Sequence, residues 1–352
     1  MDRLKYLAAG LALLLLIAAG CDREISGNVE YDDDFANASE DCLACHSGYL
    51  DQAQGEWANS THASGNNIDY TNRGGTDCTK CHNEEGYLSF LETGTLPDVP
   101  FASVSAIGCF TCHNPHETGT LELRQTEAVA LIDGAVFDHG AANQCAACHQ
   151  SRFAGSAITA DQSVNSRFGP HHSNQSDMID GTGGYEFPGE DYEFPLSPHA
   201  NQVDNACVGC HMGDPRTHVG YQLGGHSFNM AVEGIDETLV GVCATSSCHG
   251  EDVEEFDFAA DEDYDGDGDI EGYQTEMDGL LEELAMLLTT QGVLDDGSPF
   301  SGTIADPHLA GALYNYVYVE EDQSRGIHNF NYARSLIEAS IDYVSGLPVP
   351  ML

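Results

Sequence analysis

Residues 109–113 read Cys109-Phe110-Thr111-Cys112-His113, and the pattern recurs as Cys42-Cys45-His46, Cys78-Cys81-His82, Cys145-Cys148-His149 and Cys207-Cys210-His211. Two residues between the cysteines make a short turn with both sulfurs on one side, and an imidazole follows at once. This is the attachment pattern for c-type haem. The sulfurs add to the two vinyl groups along one haem edge, and the histidine reaches the iron as proximal ligand. Zinc uses the same ligand types, but it pairs one Cys-x-x-Cys with a distant second set. Five immediate histidines favour haem over zinc, and over a disulfide framework for the same reason.

Residues 242–250, Val-Cys-Ala-Thr-Ser-Ser-Cys-His-Gly, hold a sixth pair with four residues between Cys243 and Cys248. His249 again follows directly. The small polar insert is expected to bulge outward and leave both sulfurs within reach of one haem edge. A disulfide loop or a decayed motif are the alternatives, and each makes His249 a coincidence. Spacing supports a sixth site. The motifs start at 42, 78, 109, 145, 207 and 243, so they fall into three pairs, each 36 residues apart. The chain reads as a hexahaem core over 41–250 built from di-haem modules 42–82, 109–149 and 207–249. We number the sites 1 to 6 in chain order.

Each iron needs a second axial ligand, and ten of the sixteen histidines remain to supply it. A lone histidine is ordinarily a surface or packed residue, but six irons in need of partners invert that expectation. His62 lies 16 residues before Cys78 and His226 lies 17 before Cys243, equivalent places in modules one and three. His139 and His199 lie 6 and 8 residues before their next motifs. His171 or His172 serves from the long gap between modules two and three. His328 is expected to return a ligand from the C-terminal segment. These supply the six distal ligands, with His116 and His172 as alternates; His218 and His308 are expected at the surface. Met178, Met212 and Met230 are less favoured, given so many imidazoles. Two histidines per iron leave no open coordination position, and without the axial methionine that raises potential the haems are expected to be low-potential.

The N-terminus reads as an export signal. Arg3 and Lys5 precede an apolar run from Leu7 to Ile17 that is short for a bilayer span. Ala18-Ala19-Gly20-Cys21 closes it and resembles the lipobox of bacterial lipoproteins. Residues 1–20 are then a removed signal peptide and Cys21 the lipidation site. Residues 21–40, with Asp32-Asp33-Asp34, read as an acidic tether. A formal net charge of −47 repels nucleic acid and anionic lipid, and favours cationic partners, metal ions or mineral surfaces. The same acidity suits a salty habitat.

CFTCHNPH (109–116), GPHHSNQSDM (169–178), SPHANQ (197–202), ACVGCH (206–211) and GIHNFNYARSLIEAS (326–340) resemble segments of multihaem c-type cytochromes from anaerobic and metal-respiring bacteria. The resemblance touches most of residues 40–250 and the last thirty. It implies bis-histidine haems close enough for electron tunnelling, in a family with outer-surface lipoproteins and cytochrome filaments among its members. Relatives that convert nitrite or hydroxylamine carry a haem with a free distal face, often in a Cys-x-x-Cys-Lys motif. That motif does not occur here.

The expected fold is mainly α and irregular, a haem-wrapped core with little sheet, because six large apolar cofactors replace much of a side-chain core. Residues 150–200 form the longest haem-free insertion, and its Gly-Tyr-Glu-Phe-Pro and Asp-Tyr-Glu-Phe-Pro repeats (184–188, 191–195) suggest an ordered aromatic loop. Residues 251–352 read as a helical cap. Within it, 263–274 fits an EF-hand-type calcium loop, with Asp263, Asp265 and Asp267 at positions 1, 3 and 5, Gly268 at 6, Asp269 nearby, and Gln274 at 12 where a bidentate Glu is usual. Glu276 is the substitute, and a merely solvated acidic run is the alternative. Leucine spacing after Met277, around Leu313 and around Leu336 predicts three helices.

These features together predict a lipid-anchored electron carrier at or beyond the outer membrane, facing cell surface or periplasm. It would exchange electrons with other multihaem cytochromes, an outer-membrane conduit, a metal oxide or a soluble shuttle. The alternatives are a reductase for nitrite, hydroxylamine or a sulfur oxyanion with one open haem, and a homo-oligomeric filament subunit.

Overall fold

Short helices carry the cysteine-rich half, and three long ones close the chain. The computed structural model describes residues 48, 50–65, 67–115, 120–190, 192, 196–218, 220–244, 248–250 and 253–350. The signal peptide, Cys21, the tether, site 1 and His116 lie outside the described residues. The described chain is mainly helical and irregular, and its named strands form four two-stranded antiparallel sheets. No described helix is long and apolar enough to cross a membrane.

Helix α1 (Asp51–Trp57) packs against the turn that carries His226, and helix α2 (Glu84–Thr93) packs against site 2. The Asn83 side chain caps α2 by accepting from Gly86 N at 2.7 Å, and Glu84 and Glu85 suit the positive end of the helix dipole. Gly86 is required by close approach, since a Cβ there would sit 2.3 Å from the Thr79 carbonyl oxygen. The motif turn Thr79–His82 therefore lies directly on α2. Glu85 accepts from Ser105 N (2.9 Å), and Glu84 accepts from Thr111 N (3.0 Å) and Oγ1 (2.9 Å). These two buried carboxylates fix the segment that enters site 3. Apolar packing is sparse here. The main cluster is small, Val129, Leu131, Phe137, Ala142, Ala146 and their neighbours.

The larger core lies elsewhere. Helix α3 (Gln175–Asp180) belongs to the 150–200 insertion, and α4 (Tyr273–Thr290), α5 (Pro307–Asp322) and α6 (Phe330–Ser345) form the cap. Asp306 caps α5 by accepting from His308 N at 2.9 Å, with Pro307 pre-set at the first helical position. Asn329 caps α6 through Tyr332 N at 3.2 Å. Phe168, Met178 and Phe187 of the insertion share one buried cluster with Leu284 of α4, Tyr314 of α5 and Leu336 of α6. Strand β1 (Gln162–Val164) also pairs with β2 (Gly302–Ile304). The insertion is thus one wall of the cap's core rather than an aromatic loop apart from it. The structural unit crosses residue 251, because the insertion's aromatic residues need the cap helices to bury them.

Asn315 of α5 joins the two parts. Its Oδ1 accepts from Tyr185 N (2.7 Å), and its Nδ2 donates to Tyr185 O (2.9 Å) and Ser340 Oγ (3.1 Å). Asn315→Ala leaves these groups without partners in a site the helix keeps dry, which costs about 1–3 kcal/mol for each unsatisfied group. Thermal unfolding of the Asn315→Ala chain is expected to show a clearly lower Tm with haem spectra unchanged at low temperature.

Candidate haem centres

Five proximal histidines in the described chain each face one other histidine. His82 faces His171 (ring centroids 6.0 Å apart), His113 faces His226 (6.3 Å), and His149 faces His62 (6.1 Å). His211 faces His328 (6.3 Å) and His249 faces His199 (6.1 Å). Two imidazoles bonded to one metal through nitrogens about 2 Å away have ring centres roughly 6 Å apart. The five separations match that requirement, and they match one another. All ten described cysteines are free thiols, two for each of sites 2 to 6, Cys109 and Cys112 of site 3 among them. The residues present therefore fit a covalently held haem with two axial histidines.

Hydrogen bonding explains which ring nitrogen is presented. Nδ1 of His113 meets Leu121 O (2.9 Å), Nδ1 of His211 meets Phe228 O (3.0 Å), and Nδ1 of His149 meets Gln175 Oε1 on α3 (3.1 Å). Among the facing residues, Nδ1 of His199 meets Ile327 O (2.9 Å) and Nδ1 of His328 meets Asp322 Oδ1 (2.7 Å). His226 has Glu56 Oε2 at 3.5 Å from Nδ1. With Nδ1 engaged, Nε2 is left with its lone pair toward the facing ring. Burial, reinforced by the charge of His149, lowers the pKa of His62 to about 4; burial, with Arg152, His172 and His82, does the same for His171. Both rings are then neutral at pH 7, the form that binds metal.

Local backbone delivers each facing ring. His62 sits in the turn Thr61–Ser64, capped by Ser60, and His199 follows Pro198 in the turn Pro198–Gln202. His226 occupies the turn Gly225–Ser227, whose amide donates to Glu56 Oε2 at 2.9 Å. His171 has φ of +77°, a left-handed conformation that a non-glycine residue adopts only when its surroundings enforce it. The insertion and α5 supply that enforcement.

The irregular sixth motif closes like the others. In sites 3 and 4 the histidine N–H returns to the carbonyl of the first cysteine at 2.9 Å (His113 to Cys109, His149 to Cys145). His249 N returns to Cys243 O at 3.4 Å, although two more residues intervene. His249 also stacks on Phe258 with centroids 4.4 Å apart. The extra length is thus taken up between two fixed ends.

No protein-family model matches the chain, and no curated protein matches it. Among solved structures it is similar to one described as the crystal structure of outer cell wall cytochrome OcwA, with a TM-score of 0.49 and 21% identity. The match covers 83% of this chain and 50% of that one, so the chain spans about half the length of that protein.

Side chains also link one site to the next. Cys148 Sγ lies 3.9 Å from the Lys80 carbonyl oxygen, and Cys207 packs against the cluster that holds Ala142 and Ala146, so site 4 adjoins both site 2 and site 5. Phe228 touches both His62 (5.0 Å) and His226 (6.1 Å), which joins site 4 to site 3. Gly213, just past site 5, lies directly against the Val242 side chain, which joins site 5 to site 6. The 36-residue spacing does not mark self-contained modules. His62 and His226, expected as equivalents in modules one and three, both face histidines of module two. Facing ligands come from wherever the chain passes the open side of a site, and sequence spacing carries no record of that.

Two candidate histidines, His139 and His172, are placed otherwise, and so is His308. Nε2 of His139 accepts or donates at 2.7 Å to Asp180 Oδ1, and its ring faces none of the five described proximal histidines. His172 is largely exposed and pairs with Glu321. His308, expected at the surface, is packed instead: Nδ1 meets Tyr185 OH at 2.7 Å and the ring stacks on Phe187 at 5.8 Å. The aromatic residues of the insertion, not a metal, hold it there. Met178 is buried in the cap core.

In the acidic loop, Gln274 turns away, donating Nε2 to Ser324 O at 3.1 Å. Helix α4 has already started at Tyr273, so this position points across the helix and not back at the loop. Glu276, one turn into α4 and fully buried, faces the loop and accepts from Tyr264 N (2.7 Å), Asp265 N (3.1 Å) and Glu271 N (3.0 Å). Carboxylate oxygens of Asp263, Asp265 and Asp267 lie within 4.8 Å of one another, as do those of Asp265, Glu271 and Glu276. Asp269 belongs to neither group.

His62→Ala removes one facing ring at site 4, and His308→Ala removes none. Ferric EPR of the haem-loaded protein is expected to gain one high-spin centre in the first variant and to keep the wild-type spectrum in the second.

Proposed function

We propose that the chain is a six-haem c-type cytochrome that relays electrons and does not itself transform a substrate. The observation that carries this reading is the set of five facing histidine pairs at one separation, which leaves no vacant axial side at sites 2 to 6. When bound, each haem iron supplies a reversible Fe(III)/Fe(II) couple. The chain's own part is to hold the axial pairs of sites 3 to 6 in place through Nδ1, and to bring neighbouring sites together where Cys148 meets Lys80, where Cys207 packs beside Ala142 and Ala146, and where Phe228 touches His62 and His226. Site 6 is counted with the rest because His249 keeps both its closing hydrogen bond and its facing partner. Residues 1–21 support export and lipid anchoring at or beyond the outer membrane. The acidic surface suits a cationic partner, a metal ion or a mineral, or an outer-membrane conduit with a basic face.

The second reading, a reductase with one open haem, rests on site 1. His139, the remaining candidate nearest in kind, has its Nε2 committed to Asp180. The native protein is expected to show six low-spin ferric haems and no carbon monoxide binding after reduction. One high-spin, carbon monoxide-binding haem would instead overturn the relay reading in favour of the open-haem one. Intact mass counts the haems and any acyl chains on Cys21.

We also assign a structural calcium ion to the loop 263–271, with Glu276 in place of Gln274. The support is the buried Glu276 carboxylate set against Asp265 and Glu271. Chelation by EGTA is expected to lower the Tm of the native protein, with recovery on adding calcium, and Glu276→Gln is expected to abolish the response.

A further inference from the structure

Six of the ten rings that face one another at sites 2 to 6 have an Nδ1 partner described above, and the six partners differ in charge. His113, His211 and His199 donate to backbone carbonyls, and His149 to a side-chain amide. Two face carboxylates. At His226 the Glu56 oxygen stands 3.5 Å away, and Glu56 is shared with Gln52 Nε2 (2.8 Å) and the His226 amide (2.9 Å). At His328 the Asp322 oxygen is at 2.7 Å, with only 1% of the Asp322 side chain exposed. Ser324 Oγ donates to the other Asp322 oxygen and accepts from His328 N at 3.1 Å, which fixes the carboxylate. The neighbouring cation does not neutralise it. The Arg325 guanidinium is turned outward to Asp278 (2.5 Å) and Glu320 (3.2 Å).

We propose that Asp322 is a positioning residue that makes site 5, between His211 and His328, the lowest-potential centre of the chain. This rests on the haem-relay reading above. A carboxylate on Nδ1 gives the imidazole partial anionic character and raises its basicity as a ligand. That stabilises the ferric state over the ferrous one, and hydrogen bonding around the ligands is one of the protein's main controls on haem potential. Burial keeps the charge from being screened. Site 3, with its longer and shared Glu56 contact, comes next. The position of site 5 gives this a consequence. Its Cys207 packs beside Ala142 and Ala146 of site 4, and Gly213 just beyond it lies against Val242 at the start of site 6, so the most reducing step divides sites 2, 3 and 4 from site 6. Asp322 thereby sets the height of the step between the two ends.

The test is a spectroelectrochemical titration of the full haem-loaded protein with EPR at each stage. His328→Met marks the site 5 component, because axial methionine raises potential; that component is expected to be the lowest of the wild-type set. Asp322→Asn keeps an acceptor on Nδ1 without the charge, and is expected to move that component to more positive potential while the others stay in place. If His328→Met moves some other component, or if Asp322→Asn retains six low-spin haems with the lowest component unmoved, the proposal is wrong. Should Asp322→Asn fail to hold its haems, Ser324→Ala decides: it removes a donor from the carboxylate, strengthens its pull on Nδ1, and is expected to move the same component to more negative potential. No movement there overturns the proposal equally. A wild-type protein lacking six-coordinate low-spin haems would fail the relay reading itself, which is a different result.

Discussion

Two imidazoles must approach one point from opposite sides, and at sites 3 to 6 at least one ring of each pair has its Nδ1 engaged so that Nε2 is free. Most of this structure serves that constraint. Each pair joins residues far apart in the chain: His62 with His149, His82 with His171, His113 with His226, His211 with His328. With the metal in place, each pair is a long-range cross-link. The cysteine-rich half therefore holds its shape with little apolar side-chain packing. The turns that carry its facing histidines are short because their task is to aim a ring, and a short turn with a serine or proline at its start is enough.

The cap supplies what the haem half lacks. A conventional core of leucine, tyrosine and phenylalanine anchors α4, α5 and α6, and the insertion is buried against it. Buried polar side chains lock the joint. Asn174 Nδ2 donates to Tyr318 O (2.8 Å), Asn329 Nδ2 to Met178 O (3.1 Å), and Tyr318 OH to Thr182 O (2.6 Å). Two of the facing histidines stand at the edge of this unit. His171 precedes α3, and His328 lies in the link from α5 to α6, where Gln323, Arg325 and Gly326 all take positive φ. The tight link places Asp322, Ser324 and His328 within hydrogen-bonding reach of one another. The rigid part of the molecule thus holds the ligand whose environment is most charged.

Carboxylates show how an acidic chain is used inside as well as outside. Glu84 and Glu85 take backbone amides and hydroxyls, Glu276 takes three amides, and Asp322 takes an imidazole and a hydroxyl. Burial raises the pKa of Glu84, and it pushes Asp177, beside the cap core, up to about 7. Glu84, Glu85, Glu276 and Asp322 have donors arranged around them, which is the condition for burying such a group without a large penalty.

The sequence by itself set out the expected chemistry of attachment, with its cysteines, its proximal histidines and the irregular motif as a sixth site, because those residues lie within a few positions of one another. It also made the three cap helices legible, since leucine periodicity is a local signal. Of the facing ligands, His62, His171, His199, His226 and His328 were legible as candidates by surplus, not by partner. Which ring meets which was decided only by tertiary structure, as was the clustering of sites 2, 3 and 5 around site 4. His139, His308 and Gln274 were misjudged for one reason. Their neighbours in space, Asp180, Tyr185 and Ser324, lie 41, 123 and 50 residues away, and the direction of a side chain depends on the packing that brings such residues together.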